Sequence, residues 1–198
     1  MEKQERLEKQ IKFILELDKI KSIIRQTYLA NAIRKENDAE HSWHLAIMAI
    51  ILEEYFDKDI NLLKVIKMVL MHDVVEIDAG DTFCYDTKAN QDKMIREKKA
   101  AERIYNILPE NQAQEYKSLW YEFEEGQTKE AIFANVLDRL QPIMLNFETN
   151  GALWIENNIS QQQVLNRNEK TLINGPKEIS NYLITLLNKA VELGYLKK

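Results

Sequence analysis

The feature that most constrains this chain is its shortage of residues that interrupt helices. Its 198 residues include only five glycines and three prolines, while the helix-favouring residues Leu, Ile, Glu, Lys, Gln and Ala are abundant. In residues 2–21, apolar side chains such as Leu7, Ile11 and Ile14 recur at steps of three and four, the period of an amphipathic helix. The sequence therefore predicts an all-α fold.

Capping residues and helix breakers divide the chain. Asp38 is the predicted N-cap of a helix that reaches about Phe56, and Asn61 caps a helix that reaches Val75 or Glu76. Residues 22–37 lose the helical period and predict a short helix or turn followed by an ordered loop. Further helices are expected at residues 90–107 and 111–124, from Thr128 through a kink at Pro142, and from Pro176 to about Leu193.

The chain shows no internal repeat, linker or low-complexity segment. We therefore expect residues 1–198 to form one helical domain, with a core over about residues 20–150 and the C-terminal helices packed against it. The final amphipathic segment supports such packing. Amphipathic helices at both termini could also form the interface of a homodimer, although no residue identifies that interface.

Charge and cysteine content narrow the class of protein. The net charge of −5 argues against binding to duplex nucleic acid, which needs a basic face to neutralise phosphates. Cys84 is the only cysteine, so no intrachain disulfide can form and a reducing compartment is expected. The charged N-terminus has no signal-type apolar segment, and no apolar run is long enough to span a membrane. These features predict a cytoplasmic location.

Residues 71–81, MHDVVEIDAGD, place ionisable groups at the end of an apolar helix. His72, Asp73 and Glu76 directly follow Val69 and Leu70, which have the character of a buried face. Charged groups are costly to bury without a partner, and a metal ion can satisfy several at once. This stretch therefore predicts part of a metal site.

Two other segments offer matching donors. His41 and Asp138 each lie in an apolar helical context, within EHSWHLAIMA and FANVLDRLQ. With His72 and Asp73 they would supply two imidazoles and two carboxylates from three helices, a set that suits a borderline divalent cation. Such a set leaves positions open for water and substrate. Asp138 could instead pair with Arg139 or another arginine.

These residues resemble the H…HD…D signature of the HD-domain metal-dependent phosphohydrolases. The likeness extends over roughly residues 20–150, and ENDAEHSWHLAIMA and HDVVEIDAGDT resemble the branch that includes bacterial 5′-deoxynucleotidases. It implies an HD-domain helical bundle. It also implies that the metal ligands are His41, His72, Asp73 and Asp138.

The resemblance also implies that Glu76 and Asp81 flank the attacking water and the substrate. Glu76 lies one helical turn after His72, and Gly80 lets the chain turn back before Asp81. Either carboxyl could act as the general base or as the proton donor to the leaving alkoxide. Glu76 has an alternative role in holding a histidine tautomer.

Phosphate recognition requires positive charge near these residues. Arg25 and Arg34 precede His41 and are candidate substrate contacts, with simple surface charge as the alternative for both. Deoxynucleotidases carry an arginine followed by an aromatic residue here, whereas this chain reads IIRQTYLA, in which Arg25 and Tyr28 are separated. Trp43 is a candidate wall beside His41 or a packed aromatic residue.

The sequence therefore predicts a phosphohydrolase with one divalent metal ion: Mn, Co, Fe, Ni, Zn or Mg. A single ion is favoured because only His44 remains as an extra histidine, and it is expected to pack or hydrogen-bond beside the site. The predicted substrate is a small phosphoester, with a 5′-(deoxy)nucleoside monophosphate as the first choice. The alternatives are hydrolysis of a nucleotide pyrophosphate or triphosphate, and a non-catalytic metal-containing module that binds nucleotide.

Overall fold

The computed structural model describes residues 2–56 and 59–198, and these form mainly α-helices, which confirms the all-α prediction. The helices in the first part of the chain are α1 (Lys3–Leu17), α2 (Asp38–Leu52), α3 (Leu62–Met71), α4 (Glu76–Ala79) and α5 (Lys93–Tyr105). Those in the second part are α6 (Glu110–Glu125), α7 (Lys129–Glu148), α8 (Ala152–Glu156), α9 (Gln161–Arg167), α10 (Glu169–Asn174) and α11 (Lys177–Glu192). Short 3-10 helices cover Asp18–Ser22, Glu53–Tyr55 and His72–Val75.

Residues 24–37, which follow this first 3-10 helix, form a β-hairpin, so the predicted short helix or turn followed by an ordered loop was wrong. Strands β1 (Ile24–Tyr28) and β2 (Lys35–Asn37) pair antiparallel, with Ile24 opposite Asn37 and Tyr28 opposite Lys35. Isoleucine, threonine and tyrosine in β1 favour extended backbone, which outweighs the helical composition of the surrounding chain. The hairpin brings Arg25 and Glu36 beside the start of α2.

The N-cap of α2 is Asn37, one residue before the predicted Asp38. The Asn37 side chain accepts a hydrogen bond from the backbone N–H of Glu40, and the Glu40 carboxylate accepts one from the backbone N–H of Asn37. This capping box satisfies the free amides at the helix start. Asp38 is therefore the first residue of the helix, and its buried carboxylate is available to another partner.

Asn61 caps α3 as predicted, by accepting a hydrogen bond from the N–H of Lys64. The α-helix ends at Met71, and His72–Val75 continue as a tighter 3-10 turn before α4. Gly80 ends α4 with a φ of 74°, a left-handed conformation that glycine adopts without steric cost. The predicted continuous helix to Val75 or Glu76 is thus broken at His72.

Helix α7 crosses the centre of the fold. Thr128 caps it, and the helix continues through Pro142 to Glu148, with Leu137 and Leu140 buried. Because proline has no N–H, the usual helical hydrogen bond to the carbonyl of Asp138 is absent. The kink expected at Pro142 stays a prediction.

Two clusters of buried apolar residues hold the helices together. The larger packs α2, α3, α7 and α11 around Leu45, Val69, Leu137 and Leu183. The smaller joins Val74 and Val75 of the 3-10 turn to α5 and α6. Residues 146–168 contain the end of α7, α8 and α9. No helix in the described part of the chain is long and apolar enough to cross a membrane.

Candidate metal centre and active site

The ends of four side chains from α2, the His72–Val75 turn and α7 meet at one point. The Nε2 atom of His41 lies 3.1 Å from Oδ1 of Asp138 and 3.8 Å from Oδ2 of Asp73. The Nε2 atom of His72 lies 3.1 Å from Oδ2 of Asp73 and 3.7 Å from Oδ1 of Asp138. Each imidazole therefore faces both carboxylates, and the four predicted donors lie together.

The opposite nitrogen of each ring is held by a neighbouring oxygen. Nδ1 of His41 lies 3.1 Å from Oε1 of Gln141, and Nδ1 of His72 lies 2.9 Å from the carbonyl oxygen of Val69. Both oxygens can only accept a hydrogen bond, so each Nδ1 must carry the proton. The Nε2 lone pairs are then directed toward the two carboxylates, as metal ligation requires.

Gln141 and Glu36 support this arrangement, and sequence reasoning missed both. Gln141 is fully buried, and its Nε2 donates to Oε2 of Glu36 over 2.8 Å while its Oε1 faces His41. The signal for Gln141 was its position three residues after Asp138, on the same face of α7. Glu36 gave no signal, because its place in the site depends on the hairpin. His44 lies beside Gln141, outside the donor set.

His41, His72 and Asp73 could hold a divalent cation, because one ligand atom of each lies within 4.8 Å of the others. Oδ1 of Asp138 lies beside both histidines. Nε2 of His72 is buried and, among the residues that the structure describes, has no hydrogen-bond partner. Burial alone would disfavour a charged ring, yet Asp73 and Asp138 raise the pKa of His72 to about 10. Such carboxylates draw either a proton or a cation to the imidazoles, and these alternatives compete. Nitrogen and oxygen donors of this kind suit the borderline metals.

Arg25 is held among carboxylates at the edge of the donor set. Its Nη1 donates to Oδ2 of Asp73 over 2.7 Å and to Oδ1 of Asp38 over 3.0 Å, and its Nε lies 3.4 Å from Oε1 of Glu36. Although burial opposes ionisation, His72 and Arg25 hold the pKa of Asp73 well below its usual range. Arg25 thereby fixes the orientation of one predicted metal ligand.

The two candidate catalytic carboxyls lie beside this pair. Glu76 is 3% exposed, and its burial together with Asp73 and Asp38 raises its pKa well above the usual range. Burial also raises the pKa of Asp81. Within the described chain, Oε2 of Glu76 is buried without a hydrogen-bond partner. A carboxyl in such a setting keeps its proton to a higher pH than an exposed carboxyl, which favours the role of proton donor to a leaving group.

A cavity of about 360 Å³ opens onto these groups. His72, Asp73, Glu76, Asp81 and Asp138 line it, so most of the predicted site faces one space. Its wall also contains four cationic side chains, Arg25, Lys93, Arg139 and Arg167, and three aromatic ones, Phe83, Tyr85 and Phe123. The volume lies in the range of small-molecule sites.

Two predicted substrate contacts lie elsewhere, which corrects the sequence-based placement. Arg34 lies on the surface, where its guanidinium contacts the Glu40 carboxylate, and its side chain is 52% exposed. Trp43 is 63% exposed. Because it follows His41 by two residues, it projects from nearly the opposite face of α2. Neither residue lines the cavity.

Two of the proteins with similar sequences are named 5′-deoxynucleotidases. The chain is 30% identical to the 5′-deoxynucleotidase HDDC2 of Xenopus laevis over 139 residues, which cover 70% of this chain and 68% of that protein. It is 27% identical to a 5′-deoxynucleotidase of Pectobacterium atrosepticum over 128 residues, covering 61% and 64%. The match thus spans about two thirds of the length of these relatives.

A solved structure is similar along almost the whole chain. The crystal structure of a predicted metal-dependent phosphohydrolase from Magnetospirillum magnetotacticum MS-1 has 46% sequence identity and a TM-score of 0.93, covering 98% of this chain and 96% of that one. These likenesses support a phosphoric monoester hydrolase that uses a metal ion. The HD-domain family model matches residues 17–180, a range that contains all four donors. The chain therefore belongs to the HD-domain family.

Proposed function

We propose that this protein is a metal-dependent phosphohydrolase that removes the phosphate from a 5′-deoxynucleoside monophosphate. The observation that carries the proposal is the convergence of the Nε2 atoms of His41 and His72 with the carboxylates of Asp73 and Asp138. These four side chains would hold one divalent cation. The names of the relatives support the substrate class, and the cavity volume suits a nucleotide.

A bound divalent cation would supply Lewis acidity toward a phosphate oxygen and toward the attacking water. Two carboxyl groups of the chain would transfer the protons of the reaction. Glu76 would donate a proton from its carboxyl to the departing sugar oxygen, since its burial favours the protonated form. Asp81, which is more exposed, would accept the proton of the attacking water. Arg25 would keep Asp73 ionised and oriented.

The aromatic side chains of the cavity suit the nucleoside part of the substrate. The rings of Phe83 and Tyr85 lie edge to face with their centroids 5.4 Å apart, and both line the cavity. Aromatic faces bind a base or sugar with little dependence on its identity. We therefore expect the protein to accept several deoxynucleotides, with phosphate and sugar as the main determinants.

Two further properties belong to the same proposal. Residues 1–198 would act as one catalytic domain, in which α10 and α11 pack against α7. A homodimer stays a prediction, and the exposed apolar residues of α1 are the surface to examine: Leu7, Ile11, Ile14 and Leu15.

The test is phosphate release from a panel of nucleoside mono-, di- and triphosphates with Mn, Co and Mg. Wild type, Asp73→Ala and the surface control Asp18→Asn would be compared, because the Asp18 carboxylate pairs with Lys21 on the exposed surface of the described chain. We expect metal-dependent release from deoxynucleoside monophosphates by wild type and the control, and loss in Asp73→Ala. No release from any nucleotide by metal-loaded wild type would refute the proposal.

A polyphosphate substrate is the second candidate, because the cavity wall contains more cationic side chains than the two predicted from sequence. Lys93, Arg139 and Arg167 add to Arg25 there. The same panel separates the two candidates when pyrophosphate and orthophosphate are measured in parallel. Preferred turnover of triphosphates, with pyrophosphate or triphosphate as product, would favour the second candidate.

A further inference from the structure

The cationic side chains around the cavity fall into two groups. Arg25 and Lys93 are already bound by carboxylates: Arg25 by Asp38 and Asp73, and Lys93 by Glu97, whose Oε1 lies 3.3 Å from Nζ. An incoming phosphate would have to compete with these carboxylates for the same cations. Arg25 and Lys93 are therefore poor primary anchors for an anion.

Arg139 and Arg167 form the other group. Nη1 of Arg139 lies 3.6 Å from Oδ2 of Asp138, a distance longer than a hydrogen bond. The guanidinium of Arg167, at the end of α9, makes no hydrogen bond or ion pair with the residues that the structure describes. Both side chains line the cavity. Their donors are therefore available to a ligand.

The two arginine side chains line the same cavity. Partial withdrawal from water and the neighbouring Arg139 both lower the pKa of Arg167. Like charges held together in a cavity wall are unfavourable unless an anion joins them. A guanidinium binds phosphate oxygens through paired N–H donors, so two such groups make a clamp for a doubly charged phosphate.

Buried neighbours hold both arginines at the cavity. Leu137 and Leu140 on either side of Arg139 are buried in the main core. Asn168, which follows Arg167, is 3% exposed, and its Nδ2 donates to the carbonyl of Val164 over 2.7 Å. The backbone positions of the pair are thus set by the core, and the side chains extend from fixed points on α7 and α9.

We propose that Arg139 and Arg167 together bind the phosphate dianion of the substrate, while Arg25 serves to position Asp73. The adjacency of Arg139 to Asp138 puts the clamp beside the metal donors, so the phosphate that it holds is the one to be released. The two positive charges match the two negative charges of a phosphate monoester. This inference rests on the proposed function and names the residues that recognise its substrate.

The test compares Arg167→Gln, Arg139→Gln and Arg25→Gln in the manganese-loaded protein, with Arg6→Gln as the control. Arg6 donates to Asn111 on the exposed surface, and neither residue lines the cavity. Each variant would be checked for folding by circular dichroism and for metal content. KM and kcat for a deoxynucleoside monophosphate would be measured, together with the affinity for inorganic phosphate by calorimetry.

We expect Arg167→Gln to raise KM and weaken phosphate binding by roughly 10–100-fold, with metal content unchanged, as for the loss of a charge-assisted hydrogen bond. Arg25→Gln should instead lower metal content, because it releases Asp73. Arg167→Gln is the decisive variant, since Arg139→Gln also alters the immediate surroundings of Asp138. An unchanged KM and unchanged phosphate affinity in Arg167→Gln would overturn the proposal.

Failure of the clamp and failure of the proposed function give different results. If wild type releases phosphate and Arg167→Gln behaves identically, only the clamp is wrong. If wild type acts on no nucleotide, the proposed function is wrong, and the calorimetric measurement still decides the clamp. Weaker phosphate binding in Arg167→Gln than in Arg6→Gln would then support it, and equal binding would refute it.

Discussion

Nε2 of His41 and Oδ1 of Asp138 lie 3.1 Å apart although 97 residues separate them in the chain. The pair joins α2 to α7, and His72 brings the turn after α3 to the same point. Carboxylates and imidazoles buried together at the meeting of three segments are stabilised when a cation binds among them.

Asp138→Asn should lose bound metal, because it replaces an anionic donor with a neutral one. We expect the affinity for Mn to fall by more than the ~100-fold typical of losing an outer hydrogen-bond partner. Metal content after dialysis and a competition titration with a chelator would measure this. Asp18→Asn is the matched surface control, and equal metal retention by the two variants would contradict the assignment of Asp138.

Gln141→Leu tests the hydrogen bond that orients His41. The substitution removes the acceptor for Nδ1 and leaves Glu36 without its amide partner. Metal affinity should fall by about 10–100-fold while the helical fold is retained. Gln127→Leu, at an exposed position before α7, supplies the control. An unchanged metal affinity in Gln141→Leu would mean that the His41 ring is held by other contacts.

Glu76→Gln should separate proton transfer from binding. It keeps the shape of the side chain but removes the carboxyl proton, so kcat should fall by about 10²–10⁴-fold. KM and metal content should change little. Glu115→Gln, on an exposed ion pair with Lys67, is the control. If Glu76→Gln keeps the wild-type kcat, Glu76 is not the proton donor, and Asp81 becomes the candidate for that role.

Gly151→Ala and Gly194→Ala form a matched pair for stability. Both glycines have positive φ, 71° and 76°. A Cβ at Gly151 would lie 2.5 Å from Cβ of Tyr195, whereas a Cβ at Gly194 meets nothing within 4 Å among the described residues. Gly194→Ala should cost about 1–2 kcal/mol for the left-handed backbone. Gly151→Ala should cost about 1–3 kcal/mol more because of crowding.

Denaturant titrations of the two glycine variants would measure the difference. A larger loss in Gly194→Ala than in Gly151→Ala would show that the contact with Tyr195 relaxes more easily than its surroundings suggest. Because neither residue lines the cavity, metal content should remain at the wild-type level in both variants.

The sequence by itself determined the helical class and the candidate donors. Glycine and proline are scarce, and apolar residues recur at steps of three and four, a pattern typical of helices that bury one face. The structure confirms this helical class. His41, His72, Asp73 and Asp138 could be selected because charged groups in apolar helical segments are conspicuous locally. Caps such as Asn61 and Thr128 are also local features, which explains why those helix starts were predicted correctly.

The tertiary structure decided which other residues reach the site. Glu36 depends on a hairpin that the periodicity did not reveal, and Arg167 depends on where tertiary packing places the end of α9. Arg34 and Trp43 are close to His41 in the sequence but lie away from the site. Arg34 pairs with Glu40 of the capping box, and Trp43 projects from the exposed face of α2. Side-chain direction and contacts between distant segments arise only when the helices pack, so no local pattern contains them.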